Sequence, residues 1–169
     1  MSCHKVRQVL ATVGLAVALF STAQAQSEAR SVVSATPRYL QRGNVATVLL
    51  RCAWLPSAED ILFYSAGLDC LDLKLKKRSP DLPADGHEYL AKIRVSSDCR
   101  IGQHRFRIRD RGGLSTLHTL YVGPLPRLAE RSRATTFEDP QDVALNTTVS
   151  GHISKVGQVD WVRVTLKKG

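Results

Sequence analysis

Period-two alternation is the feature that most limits what this chain can fold into. From Gln103 to Asp110, His104, Phe106 and Ile108 take one phase and Arg105, Arg107 and Arg109 the other. Successive side chains on a strand point to opposite faces, so the three guanidiniums share one side. Arg111-Gly112-Gly113 then reads as a hairpin turn, with Leu114 to Val122 as the returning strand. Val45 to Trp54 is strand-like, Ile61 to Tyr64 is a short apolar strand, and the same rhythm runs through Leu68 to Lys76 and Glu88 to Ser96. Leu71, Leu73 and Leu75 line one face of the third of these, and Tyr89, Ala91, Ile93 and Val95 one face of the fourth. Between them lie Pro56 to Asp60, the turn Ser65-Ala66-Gly67, a polar Pro-punctuated loop from Lys77 to Gly86, and the turn Asp98 to Gly102.

About seven short strands without a helical stretch predict an all-β fold, an immunoglobulin-like β-sandwich, over residues 36–123. Gly123-Pro124-Leu125-Pro126 closes it, and a charged linker occupies residues 124–139. A second β pattern fills 140–169. It holds Val143-Ala144-Leu145, then Asn146 to Gly151, then Val159 to Leu166 with Trp161, Arg163 and Thr165 opposite Val162, Val164 and Leu166. Two or three strands do not close a core alone. An incomplete second β-sandwich domain is therefore expected there, completed by the remainder of a parent polypeptide or by a partner. Exposed strand edges invite such pairing.

The start of the chain has the three parts of a secretory signal peptide: Lys5 and Arg7, the apolar run Leu10 to Phe20, and the small-x-small end Ala23-Gln24-Ala25. Residues 1–25 are expected to be removed between Ala25 and Gln26, leaving an exported chain with a small, polar, mobile leader at 26–35. The apolar run is shorter than the roughly 20 residues a membrane span needs, so no span is expected after cleavage. The formal charge is +9, of which Lys5 and Arg7 contribute two. A basic balance suits anionic partners, or serves solubility alone. Export makes a disulfide possible among Cys52, Cys70 and Cys99, in any of three pairings, against the alternative of buried free thiols. By phase Cys52 and Cys99 point inward and Cys70 outward.

Ile61 to Leu68, Asp98 to Arg105, Gly113-Leu114-Ser115 and Tyr121-Val122-Gly123 together resemble the IPT/TIG-like immunoglobulin module of exported bacterial proteins, planctomycete ones in particular. Gln141, Leu145 to Gly151, Val159-Asp160-Trp161 and Lys167-Lys168-Gly169 resemble the opening of a bacterial pre-peptidase C-terminal domain. The resemblance implies non-catalytic appendages of secreted proteases and other large exported proteins, with further strands after Gly169. The family's acidic stretch before the residue matched by Phe137 is replaced here by Ser132 to Thr136, so a cation-binding role for those acids does not carry over.

Catalytic motifs are lacking. There is no G-x-S-x-G elbow, and His87, His104, His118 and His152 show no paired-ligand spacing. His104 and His118 fall on facing strands of the expected hairpin, where cross-strand packing is the simpler role. No enzyme, cofactor or metal is expected in this stretch. The arginine row Arg105, Arg107 and Arg109 is a candidate anion-binding face for an acidic glycan or other cell-surface polymer, or a solvated face paired with acids on the next strand. Nucleic acid is not expected, because Phe106 lies on the opposite face and exposed aromatics are wanted beside the cations. Asp160 beside Trp161 is read as a turn-fixing acid, and Asn146-Thr147-Thr148 as a sequon in form.

Overall fold

The computed structural model describes residues 29–78, 86–131, 136–153 and 155–167; the expected signal peptide and the expected Ala25–Gln26 cleavage point lie outside the described residues. The described residues form strands and no helix. The strands are β1 (Ser31–Thr36), β2 (Tyr39–Gln41), β3 (Val45–Ala53), β4 (Ala58–Phe63), β5 (Leu68–Arg78), β6 (Gly86–Val95), β7 (Gly102–Asp110), β8 (Gly113–Leu114), β9 (His118–Gly123), β10 (Arg127–Ala129), β11 (Gln141–Asp142), β12 (Thr148–Ser150) and β13 (Val162–Arg163).

Two larger sheets share one core. The first has the order β1-β3-β6-β5 and the second β2-β9-β7-β4, with β8 on β7. The central strands of the first follow the alternation read from sequence: Val48, Leu50 and Cys52 on β3 and Tyr89, Ala91, Ile93 and Val95 on β6 are buried and meet in register, Val48 opposite Ala91 and Leu50 opposite Tyr89. From the second sheet, Phe106 and Ile108 on β7, Ile61 on β4 and Leu120 and Val122 on β9 join the same cluster. Phe106 sits at its centre, its ring 6.0 Å from Phe63 and 5.5 Å from His118.

Three segments depart from the simple pattern, each for a local reason. Ser31–Ala35, expected within the mobile leader 26–35, belongs to edge strand β1. A register shift between Val32 and Ser34 puts Val32 and Ala35 both in the core, three residues apart, which hides the strand from a strict two-residue count. In β5 a register shift between Cys70 and Asp72 turns the strand over. Leu71 is thereby exposed while Cys70 and Leu73 pack on the core, so Cys70 faces inward, not outward as its alternation with Asp72 and Lys74 indicated. The expected continuous strand from Leu114 to Val122 is split into β8 and β9. At the break Ser115 is buried, and its Oγ accepts from the Ile108 N–H at 2.9 Å and donates to the Thr116 carbonyl at 2.8 Å. A buried backbone group needs a partner, and the serine hydroxyl supplies the one the interrupted ladder lacks.

Loops are tied to the core by buried polar groups. Tyr89 is buried, yet its hydroxyl donates to the Leu55 carbonyl at 2.6 Å and accepts from the Ala58 N–H at 3.2 Å, pinning the β3–β4 connection. Asp110 accepts from the backbone N–H of Ser57 at 3.1 Å, from that of Gly112 at 2.7 Å and from Arg30 Nε at 3.3 Å.

Beyond Gly123 the architecture changes. β10 pairs with β12 and β11 with β13, both parallel and both short. β10 falls in the segment expected to be linker. Of the described residues 124–167 only Gln141 is buried, while Phe137, Leu145, Ile153 and Leu166 stay more than half exposed. Among the described residues no helix is long and apolar enough to cross a membrane.

The core analysis sets an expectation for stability. Phe106→Ala should cost roughly 3–5 kcal/mol by removing the central ring. Tyr89→Phe, which keeps the ring and strands one carbonyl and one N–H, should cost roughly 1–3 kcal/mol. Denaturant titration of the purified chain measures both, and a Tyr89→Phe chain as stable as the parent would mean the β3–β4 connection does not depend on that hydroxyl.

Candidate functional site

Arg105, Arg107 and Arg109 do share the outer face of the second sheet, but their surroundings differ. Arg109 lies 3.8 Å from Glu59 and 3.8 Å from Asp60, both contributed by β4, and Arg111 lies 3.5 Å from Glu59. Arg107 Nη1 donates to the Ser115 carbonyl at 2.8 Å. Among the described residues no carboxylate pairs with Arg105 or Arg107. The acids therefore sit at one end of the row and leave the other uncompensated.

A fourth arginine joins the uncompensated end. Arg38 enters just before β2, donates from Nε to the Thr119 carbonyl at 3.2 Å, and holds its guanidinium carbon 5.8 Å from the centre of the Tyr121 ring. Thr119 is the residue opposite Arg105, so the two arginines flank one strand position. A cation over an aromatic face is attracted by the ring's quadrupole. Tyr121 and Tyr64 are exposed on this sheet, and the Tyr64 N–H bonds to the Arg105 carbonyl at 3.0 Å. Aromatics thus accompany the cations, although Phe106 itself is buried on the other side. Sequence periodicity missed Arg38 because β2 reaches this face by parallel pairing with β9, Tyr39 opposite Tyr121, across 82 residues of chain.

Beside these residues is an open cleft of about 550 Å³ between the β2–β9 edge and β12. Tyr39, Tyr121, Ile101 and Val149 give it apolar walls, Thr148 and Ser150 lie along its far side, and Arg38 belongs to its lining. No aspartate or glutamate lines it among the described residues. Gly123 shapes the floor. A Cβ at that position would collide with the Tyr39 ring, which is held there by donation from Tyr39 Oη to the Leu125 carbonyl at 2.8 Å.

A second arrangement, 39 residues apart in sequence, brings Ser65 to His104 with Oγ 2.6 Å from Nδ1. His104 Nε2 lies 2.6 Å from the Arg100 carbonyl, which only accepts, so the ring proton sits on Nε2 and the serine hydroxyl donates to Nδ1. The β4–β7 ladder creates this meeting. Phe63 is opposite Phe106, so the next turn places Ser65 over buried His104. A hydroxyl aimed at an imidazole is the opening geometry of nucleophilic catalysis, but the ring is oriented by a neutral carbonyl rather than a carboxylate. The nearby Cys99 Sγ is 3.8 Å from Nε2, and burial pushes its thiol upward, which disfavours the nucleophilic thiolate. Gly67, at φ +92°, lets the turn pass so close to Cys99 that a Cβ would lie 2.8 Å from the cysteine Cβ.

The other candidates separate. His118 is opposite Phe106, not His104. Among the described residues no group of three or more His, Cys, Asp or Glu is arranged to hold a metal ion. Cys52, Cys70 and Cys99 are all free thiols; burial pushes Cys52 up to about 12 and Cys70 upward as well. Asp160 accepts from the Gln158 side-chain amide at 2.9 Å, while Trp161 packs edge-on against Phe137 at 5.3 Å. Asn146 of the sequon is exposed in a turn with φ 58°.

No family model matches the chain, so none identifies either the IPT/TIG-like or the pre-peptidase resemblance. No curated protein matches it.

Two measurements follow from the buried titratable groups. Burial, then the Arg38 charge, lowers His118 below its ordinary value of 6.5, and its Nε2 is enclosed without a hydrogen-bond partner among the described residues. The unfolded chain therefore binds this proton more readily than the folded one. The contribution is intact above pH 6.5 and falls away as pH drops toward the lowered folded value. His118→Gln should flatten that part of the stability–pH curve, read by thermal unfolding from pH 7.5 to 5; an unchanged slope would show that His118 does not set it. Thiol modification mapped by mass spectrometry should reach half-buried Cys70 before Cys52 and Cys99, and faster labelling of either buried thiol would contradict their enclosure.

Proposed function

We propose that this chain is a non-catalytic exported module: an immunoglobulin-like sandwich followed by the start of a second β domain of pre-peptidase C-terminal type. It serves as a spacer or accessory region of a larger secreted protein. Strand order carries the reading. The orders β1-β3-β6-β5 and β2-β9-β7-β4 match the two-sheet order of an immunoglobulin domain, with the first two strands divided between the sheets. The inward polar groups on β7 support a structural role. His104 is taken up by Ser65 and the Arg100 carbonyl, and Asp110 by two backbone N–H groups and Arg30. Export itself rests on residues 1–25.

A second reading, a binding module for an acidic glycan or cell-surface polymer, is favoured by one observation. Among the described residues Arg38, Arg105 and Arg107 lack the carboxylates that pair with Arg109, so a cationic area remains on a face that also carries exposed tyrosines. Specific surfaces use such charge to orient and select partners.

The Ser65–His104 pair makes the non-catalytic reading testable. A fluorophosphonate probe should leave Ser65 unlabelled after incubation with the folded chain, and Ser65→Ala should be indistinguishable from the parent in labelling. Covalent labelling at Ser65, absent in the variant, would assign the module a nucleophile and overturn the proposal.

A further inference from the structure

We propose that the cleft beside β2 and β9 is a subsite for a uronic-acid residue of an acidic polysaccharide. The inference rests on the acidic-polymer reading of the basic face and adds an aromatic-walled cleft to it. Small-ligand sites are concave, largely apolar, and carry a few polar groups that fix orientation. This cleft, about 550 Å³, has that make-up. Tyr39 and Tyr121 supply aromatic surface for the apolar C–H face of a pyranose. Thr148 and Ser150 of β12 belong to the opposite wall. Arg38 supplies the cation, and a guanidinium meets a carboxylate through two parallel N–H donors.

Charge complementarity selects the occupant. No acid lines the cleft among the described residues, and Arg105 and Arg107 continue the cationic surface from the Thr119 position outward along β7. A neutral sugar would leave that charge unanswered. A flexible polyanion without rings would leave the tyrosine walls unused. A chain of carboxylated sugar rings satisfies both, with one ring in the cleft and the following carboxylates along Arg105 and Arg107. Arg38 has a preset place in this scheme, since its contacts with Thr119 and Tyr121 already limit its rotamers before any ligand arrives.

Affinity electrophoresis of the full chain through gels containing polygalacturonate, polyglutamate or dextran tests this. Polygalacturonate should retard the chain most, dextran not at all. Tyr121→Ala should weaken retention about fivefold and Tyr121→Phe should preserve it. Arg38→Ser should weaken it about tenfold, while Arg109→Ser, at the acid-paired end, should change it little. Circular dichroism on each variant checks that folding is retained. Equal retention by polyglutamate and polygalacturonate, or a folded Tyr121→Ala chain that binds as the parent does, would overturn the sugar subsite and leave a general polyanion face. No retention by either polyanion would overturn both the subsite and the acidic-polymer reading.

Discussion

The inward row of β7 is the constraint on which the rest of the fold depends. Phe106 and Ile108 occupy its middle and are wholly buried; His104 and Asp110 stand at its ends and are almost as enclosed. Two apolar residues alone would fix the strand to the core. The two polar ends do more, because a buried polar group is costly unless it is bonded. His104 recruits the Ser65 turn and the Arg100 carbonyl at one end of the sheet. Asp110 recruits the Ser57 and Gly112 N–H groups and Arg30 at the other. Each polar end thereby selects one arrangement of the neighbouring loops. Because side chains alternate, the same strand must present Arg105, Arg107 and Arg109 outward, so core and basic face are two consequences of one pattern.

The outer faces of the two sheets handle charge differently. On the first, Glu88 is surrounded by Arg51, Lys76 and Lys77 at 3.6–3.8 Å, and Asp69 holds Arg94. On the second, among the described residues, acids cluster on β4 and reach only the Arg109 end. Exposed pairs such as those of Asp69, Glu59 and Asp60 contribute little to stability, whereas Glu88 is buried and needs its cations, so the acids of the second sheet matter chiefly for where an anion is attracted.

How much of this was legible depended on whether the information was local. The alternations in β3, β6 and β7 predicted their buried residues and the outward arginines, and the phase of Cys52 held; Cys99 is buried as well, but from the segment after the turn that follows β6 and not by that strand's phase. Cys70 did not follow, since a register shift in β5 reverses which parity faces the core. β1 was concealed by the same kind of irregularity between Val32 and Ser34. Nothing local marks a bulge in either sequence. The Ser65–His104 contact and the place of Arg38 are set by which strands become neighbours, information that belongs to the sheet as a whole. The charged segment after Pro126 was read as linker because Arg127–Ala129 forms a strand only through parallel pairing with Thr148–Ser150.

That late pairing matters for the cleft. One of its walls, β2 and β9, belongs to the well-buried sheet, where Leu40, Leu120 and Val122 enter the core. The other, β12, is held by its ladder to β10, in a region whose single buried side chain among the described residues is Gln141. Gln141 acts as a bracket: its Nε2 donates to the Ala129 carbonyl at 2.9 Å and its Oε1 accepts from the Arg131 N–H at 2.8 Å. A segment with little buried apolar area and exposed backbone bonds opens at lower cost than a core strand. A ring seated between Tyr121 and β12 would therefore join a rigid wall to a loosely packed one. Part of its binding free energy would go into ordering β12, so the affinity of the proposed subsite would be governed by how firmly Gln141 holds β10 as well as by the residues lining the cleft.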